Sequence, residues 1–222
     1  MGFVQLLRSL DDLLYAVMTW LVFYPITLWR SIRHPRAMMI YADTELEDRP
    51  ELQYEDTLSP PLFLLITLIL SHLIELSIVG QSALVGDRRG LSSLITDDST
   101  LLIFRLIVFS VFPLIMAVRL LHWKKRRLTR DSLRQPFYSQ CYPTGPFALL
   151  IGIGGIAMQM HFVAAQLIGL ALTILALLWY GSLQTRWFAR QLNVSLLRGL
   201  WIASVGMVQC VVAMVLLLPL VA

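Results

Sequence analysis

Within Pro60–Val79, PPLFLLITLILSHLIELSIV, the residues able to do chemistry are Thr67, Ser71, His72 and Glu75. Thr67, Ser71 and Glu75 are spaced i, i+4, i+8, and His72 flanks them, so on a helix they form one polar stripe. An imidazole and a carboxylate one turn apart can pass a proton, hold a small solute, or share a metal ion. A metal centre of the carboxylate-bundle kind needs more carboxylates than this helix carries. An ionisable side chain at the centre of a membrane helix costs roughly 2.5 kcal/mol or more, so it faces other helices and takes a partner.

The element that positions this stripe is a membrane span. Bilayer hydrocarbon is about 30 Å thick, and roughly 20 mostly apolar residues cross it as a helix. Ser59 can cap the helix, Pro60 fits its first position, and Gly80 stands just past its end. Composition agrees. The 222 residues are 57% hydrophobic and 14% charged, with a mean hydropathy of +0.71, whereas a soluble domain carries about 25% charge. No cleavable signal peptide is expected, since Met1–Asp12 lacks a clean apolar core and contains Asp11 and Asp12. Leu6 stands where myristoylation wants Ser or Thr. Cys141 and Cys210 have no metal-ligand spacing and read as free, packed thiols.

Residues 1–36 are ambiguous. Val4, Leu7, Leu10, Leu14 and Val17 recur at helical spacing, and Leu13–Trp29 is uncharged, aromatic-rich and interrupted by Pro25. A kinked amphipathic helix in the membrane interface is expected, with a true span as the alternative. Residues 37–59 read as an acidic cytoplasmic linker, or a docking site for a basic partner, with Asp43, Glu45, Glu47, Asp48, Glu51, Glu55 and Asp56 set against Arg49.

Residues 60–222 read as an all-α transmembrane bundle with spans at about 60–79, 101–121, 146–161, 164–180 and 200–221. Phe147–Tyr180 lacks Lys, Arg, Asp and Glu and is too long for one span, so a turn is expected near Gln159–Ala165. Gly152, Gly154 and Gly155 would let the third span approach a neighbour closely. Pro113 would kink the second. The run HWKKRRLTRDSLR, His122–Arg134, sets orientation, because basic loops stay cytoplasmic. Lys124, Lys125, Arg126, Arg127 and Arg130 are also candidates for contact with anionic lipid. Nucleic acid is a poor partner, since the run abuts a span and no nucleic-acid fold motif is present.

With this hairpin, Arg186, Arg190 and Arg198 fall on the same side as the basic loop. Five spans result, and the C-terminus lies outside. If the N-terminal segment crosses, the bundle has six spans and nothing later changes. Glu75 then lies roughly 7 Å from the outer end of its helix, at the depth of Arg105 in the next, so an ion pair fits. The turn with Gln159 and His161 falls on that side too. The expected outer-leaflet cluster is His72, Glu75, Arg105, Gln159 and His161, either a structural knot or a binding site.

No His-Glu-x-x-His, Gly-x-Ser-x-Gly or phosphate-loop motif occurs, so neither an enzyme nor a cofactor is expected. The stretches FYPITLWRSIRHPRAM (Phe23–Met38) and SPPLFLLITLIL (Ser59–Leu70), with the polar segment ahead of about five closely spaced helices, resemble the Yip-type (Ypt/Rab-interacting) family, including bacterial relatives often labelled permeases. The aromatic, nearly span-length N-terminal helix departs from that plan. The resemblance implies an organising role with membrane lipids, a membrane-protein partner or further copies of the chain. A small permease using His72, Glu75 and Arg105 is the alternative, and a bacterial inner membrane is the expected location. No inverted repeat is visible between the halves, which weighs mildly against a repeat-built transporter.

Overall fold

The structure, a computed structural model, describes the backbone of residues 2–79 and 98–217 and the side chains of 11–50, 52–79 and 106–216. It is all-helical: α1 Gly2–Arg33, α2 Pro35–Glu45, α3 Pro60–Val79, α4 Asp98–Trp123, α5 Arg130–Gln159, α6 Val163–Gln191 and α7 Leu196–Leu217, with a short 3-10 turn at Pro50–Leu52. All but α2 contain a stretch long and apolar enough to cross a membrane, Asp11–Arg33 of α1 included. The N-terminal segment is therefore one continuous helix through Pro25, with the length of a span. Leu13, Leu14, Leu21, Val22, Ile26 and Trp29 leave much of the described part of α1 apolar and exposed, as lipid contact requires. Of the face expected there, the side chains of Val4, Leu7 and Leu10 lie outside the described residues.

Two expectations are corrected. The acidic segment does not run as a solvated linker throughout, because Pro35 opens α2. Met38, Met39 and Ala42 recur on one face of α2 and are buried, packing on α5 and α6. The helix that carries the third span begins well before residue 146, at Arg130. Thr129 caps α5 by accepting from the Ser132 N–H, while Ser132 Oγ accepts from the Thr129 N–H, and the helix runs on through Pro136, Pro143 and Pro146. Prolines at these points cost backbone hydrogen bonds, but neighbouring helices and hydroxyl side chains compensate in a membrane bundle. At 30 residues α5 is about 45 Å long, longer than the hydrocarbon layer is thick. The basic loop shrinks to residues 124–129, and α6 carries Arg186 and Arg190 inside its last turns. The turn between α5 and α6, at 160–162, falls where the polar residues place it. Asn193, in the left-handed region at φ 53°, ends α6, and the Val194 N–H reaches back to the Ala189 carbonyl.

Helix α5 packs against α1, α2, α3, α4 and α6. It runs parallel to α3: Gly145 faces the Phe63 ring, Gly152 faces Ser71, and Gln159 reaches Glu75. On its other side, a Cβ at Gly154 would come within 2.9 Å of the Gly169 carbonyl oxygen of α6. The glycine expectation thus holds for 152 and 154. Gly155 meets nothing within 4 Å and opens onto space. One apolar core joins Phe112 and Met116 of α4, Phe147 of α5, Tyr180 and Phe188 of α6, and Ile202 of α7. The Phe147 and Tyr180 rings stack with centroids 4.5 Å apart. Cys141 and Cys210 are free and buried.

A second core sits at the basic end, where α1, α2 and the start of α3 meet α5 through Tyr24, Met38, Ala42, Phe63 and Tyr142. A polar chain ties these elements together. Arg30 donates to Asp56 at 2.6 Å, Tyr41 donates to Asp56 at 2.7 Å, and Tyr142 donates to the Leu58 carbonyl at 2.8 Å. The Leu58 N–H donates to Thr27 Oγ1 at 3.0 Å, and Thr27 is fully buried. Tyr54 adopts φ 59°, rare for an aromatic residue, and is held there by Glu45 on its N–H and the Ala42 carbonyl on its hydroxyl.

The exposed Arg30–Asp56 pair contributes about 0–1 kcal/mol, while a stranded buried N–H costs about 1–3 kcal/mol. Thr27→Val is therefore expected to destabilise the protein by about 1–3 kcal/mol and Asp56→Asn by less than about 1. Unfolding in mixed detergent micelles measures both, and the reverse ranking would contradict this account of the α1–α3 junction.

Candidate functional site: two polar cavities

Helix α3 buries a single face made of Pro60, Phe63, Leu64, Thr67, Leu68, Ser71, His72 and Glu75. The spacing i, i+3, i+4 runs unbroken through it. The polar stripe is thus the outer continuation of the helix's apolar packing face. Thr67 satisfies itself by donating to the Phe63 carbonyl at 2.7 Å. Glu75 is 2% exposed and His72 4%. Gln159, the last residue of α5, donates from Nε2 to Glu75 Oε1 at 3.2 Å and to the Gly155 carbonyl at 3.3 Å.

Of the expected cluster, Glu75 and Gln159 come together at the end of the bundle away from the basic loop, and His72 is buried on the same face of α3 but does not line the cavity. His161 is exposed in the turn beyond α5 and lines no part of the site. Arg105 belongs to α4 by its backbone, but its side chain, and hence its pairing with Glu75, lies outside the described residues. Among the described residues, no three His, Cys, Asp or Glu side chains come together as a metal site.

Glu75 is not sealed in. A cavity of about 280 Å³ lies between α3, α4, α5 and α7. Ser71, Glu75 and Gln159 form its polar wall; Leu68, Val108, Phe109, Ile151, Ile156 and Met214 form the apolar remainder. The bare backbone at Gly152 and Gly155 contributes the floor. Such a space suits a small, mainly apolar molecule with a cationic or donor group for the carboxylate.

Sequence reasoning missed a second cavity, at the basic end. About 210 Å³ in volume, it is lined by Asp43 of α2, Leu120, Leu121, Lys124 and Arg126 of α4 and the loop after it, Ser132 and Gln135 of α5, and Gln191 of α6. Lys124 Nζ donates to Gln191 Oε1 at 2.7 Å. Lys125, Arg127 and Arg130 are exposed and outside the lining. Burial pushes the Asp43 carboxyl up to about 7; Lys124 opposes the shift and Glu47 adds to it. Burial, with Arg126 nearby, lowers Lys124. At Asp56 burial pulls upward, but the hydrogen bonds from Arg30 and Tyr41 outweigh it and hold the carboxyl below its usual range. The available clue to the Asp43 cavity was the helical recurrence of Met38, Met39 and Ala42 after Pro35, which predicts a packed helix carrying Asp43.

Comparison of the chain with protein-family models, curated proteins and solved structures gives no match, so no relative bears on the Yip-type likeness.

The raised Asp43 carboxyl fixes a sign. Between about pH 4 and pH 7 the folded protein holds a proton there that the unfolded chain has lost. Stability is expected to fall as pH rises through that window and to level off above it. Asp43→Asn should remove that part of the slope in denaturation curves recorded from pH 4.5 to 8. An unchanged slope in the variant would contradict the burial of this carboxyl.

Proposed function

We propose that this integral membrane protein is a small permease-type carrier that takes a small, largely apolar cation into the cavity at Glu75. The single observation that carries the reading is that cavity: a nearly buried carboxylate, oriented by Gln159, facing about 280 Å³ of otherwise apolar space between four helices. A purely structural polar knot would have its space filled by side chains. Here Gly155, with nothing within 4 Å of where a Cβ would stand, leaves the wall open beside Glu75.

The basic loop argues for placing Lys124–Arg130 on the cytoplasmic side of a bacterial inner membrane, with the Glu75 cavity toward the periplasm. The organising role that the Yip-type resemblance implies is the second reading. It rests on the layout of helices and on Phe23–Met38 and Ser59–Leu70.

The two readings part on ligand binding. With benzylammonium as the probe, the purified protein is expected to gain thermal stability, and benzyl alcohol at equal concentration to give less. Glu75→Gln should weaken benzylammonium binding about tenfold or more, the loss of one charge-assisted contact. Gly155→Leu should fill the cavity and abolish binding, because nothing stands within 4 Å of that Cβ and the helix can accept it. Equal binding by the parent and Glu75→Gln, or none by the parent, would overturn the carrier reading and leave the organising one.

A further inference from the structure

The basic-end cavity is lined by charges of both signs. Lys124 and Arg126 come from the loop after α4, and Asp43 comes from α2. Asp43 and Lys124 do not pair directly, since the only ion pair among the described residues is Arg30–Asp56. Asp43 Oδ1 is buried and accepts no hydrogen bond of ordinary geometry from the described residues; the Ser139 hydroxyl is near enough only to offset part of the rise that burial causes in the carboxyl. A buried acceptor of this kind is costly unless something donates to it. Beyond Asp43 lies a second hollow of about 260 Å³, which shares Asp43 and Gln135 with the first and adds Glu47, Asp131 and Arg134. Charge thus runs from cationic at Lys124 and Arg126, across Asp43, to predominantly acidic at Glu47 and Asp131. Leu120 and Leu121 give the cationic side an apolar edge just where α4 leaves the membrane-crossing length.

We propose that this cavity binds an aminoalkyl phosphate, the headgroup chemistry of phosphatidylethanolamine, with the phosphate on Lys124 and Arg126 and the ammonium on Asp43. The charge order selects the ligand. A purely anionic headgroup would leave Asp43 opposed to its own charge. A free amine would leave Lys124 and Arg126 without a counter-charge. A quaternary ammonium satisfies the charges but has no N–H to give to Asp43 Oδ1. The Glu75 cavity lies at the other end of the bundle, so this site stands or falls separately from the carrier reading.

Native mass spectrometry of the purified protein with added phosphatidylethanolamine, phosphatidylcholine and phosphatidylglycerol tests the assignment at pH 8, where Asp43 is ionised. Phosphatidylethanolamine is expected to bind about tenfold tighter than either other lipid. Asp43→Asn should erase that preference, and Lys124→Gln should weaken phosphatidylethanolamine and phosphatidylglycerol alike. Arg126→Gln alters an exposed residue and so tests the phosphate side without threatening the fold. It should weaken both lipids too, and Glu75→Gln should change neither. Free phosphoethanolamine added as competitor separates the sources. Displacement of the lipid assigns a soluble ligand of the same chemistry, and failure to displace it assigns the lipid. Equal binding of all three lipids by the parent, or a preference that survives in Asp43→Asn, would overturn the proposal.

Discussion

The close approach of α5 to its neighbours is the constraint on which this bundle depends. Where Gly145 meets the Phe63 ring and Gly152 meets Ser71, a larger side chain on α5 would have to displace a side chain of α3. At Gly154 and Gly169 the backbones of α5 and α6 are nearly in contact. In a membrane, helices gain little from hiding apolar surface, because lipid is as apolar as leucine. Tight backbone packing and hydrogen bonds between helices take over that role. The parallel register of α3 and α5 then carries Gln159 to Glu75, so a packing device at the middle of the helices determines a polar contact at their end.

Polar groups deep in the bundle follow the same logic. Gln140 and Gln184 are fully buried and exchange amide hydrogen bonds at 2.6 and 3.2 Å, joining α5 to α6. Thr144 and Thr173 turn back onto the carbonyls of Gln140 and Gly169, one turn earlier on their own helices. These arrangements need no partner outside the bundle. The two cavities differ, because each has a carboxylate, Asp43 or Glu75, in its lining. One cavity stands at each end of α5, and the aromatic core around Phe147 and Tyr180 lies between them.

Much of the architecture was legible in the sequence, because membrane spans are set by length and apolarity and topology by basic residues. The α3 span, its buried polar stripe, the turn after Gln159, and the meeting of Glu75 with Gln159 at one end followed from spacing and depth. What was not legible depends on tertiary contact. The apolar run near 146 marked only part of α5, which starts at Arg130 and continues through Pro136, Pro143 and Pro146 because its neighbours supply the missing interactions. The acids of residues 43–56 read as solvated, yet Asp43 is drawn beneath the bundle by Met38, Met39 and Ala42 on the same short helix. His161 lay near Gln159 in sequence but follows it out of the helix, so its ring leaves the site.

The central claim is that space beside Glu75 is open to a small cationic molecule. Thiol reactivity at position 155 tests it most directly, in a Cys141→Ala, Cys210→Ala background, since both native thiols are buried. Gly155→Cys should react with methanethiosulfonate ethylammonium at a rate approaching that of His161→Cys, which is exposed in the turn, and benzylammonium should slow only the reaction at 155. A cysteine at 155 that stays unreactive while the one at 161 is modified would contradict the account, and Glu75 would then be a packed structural group.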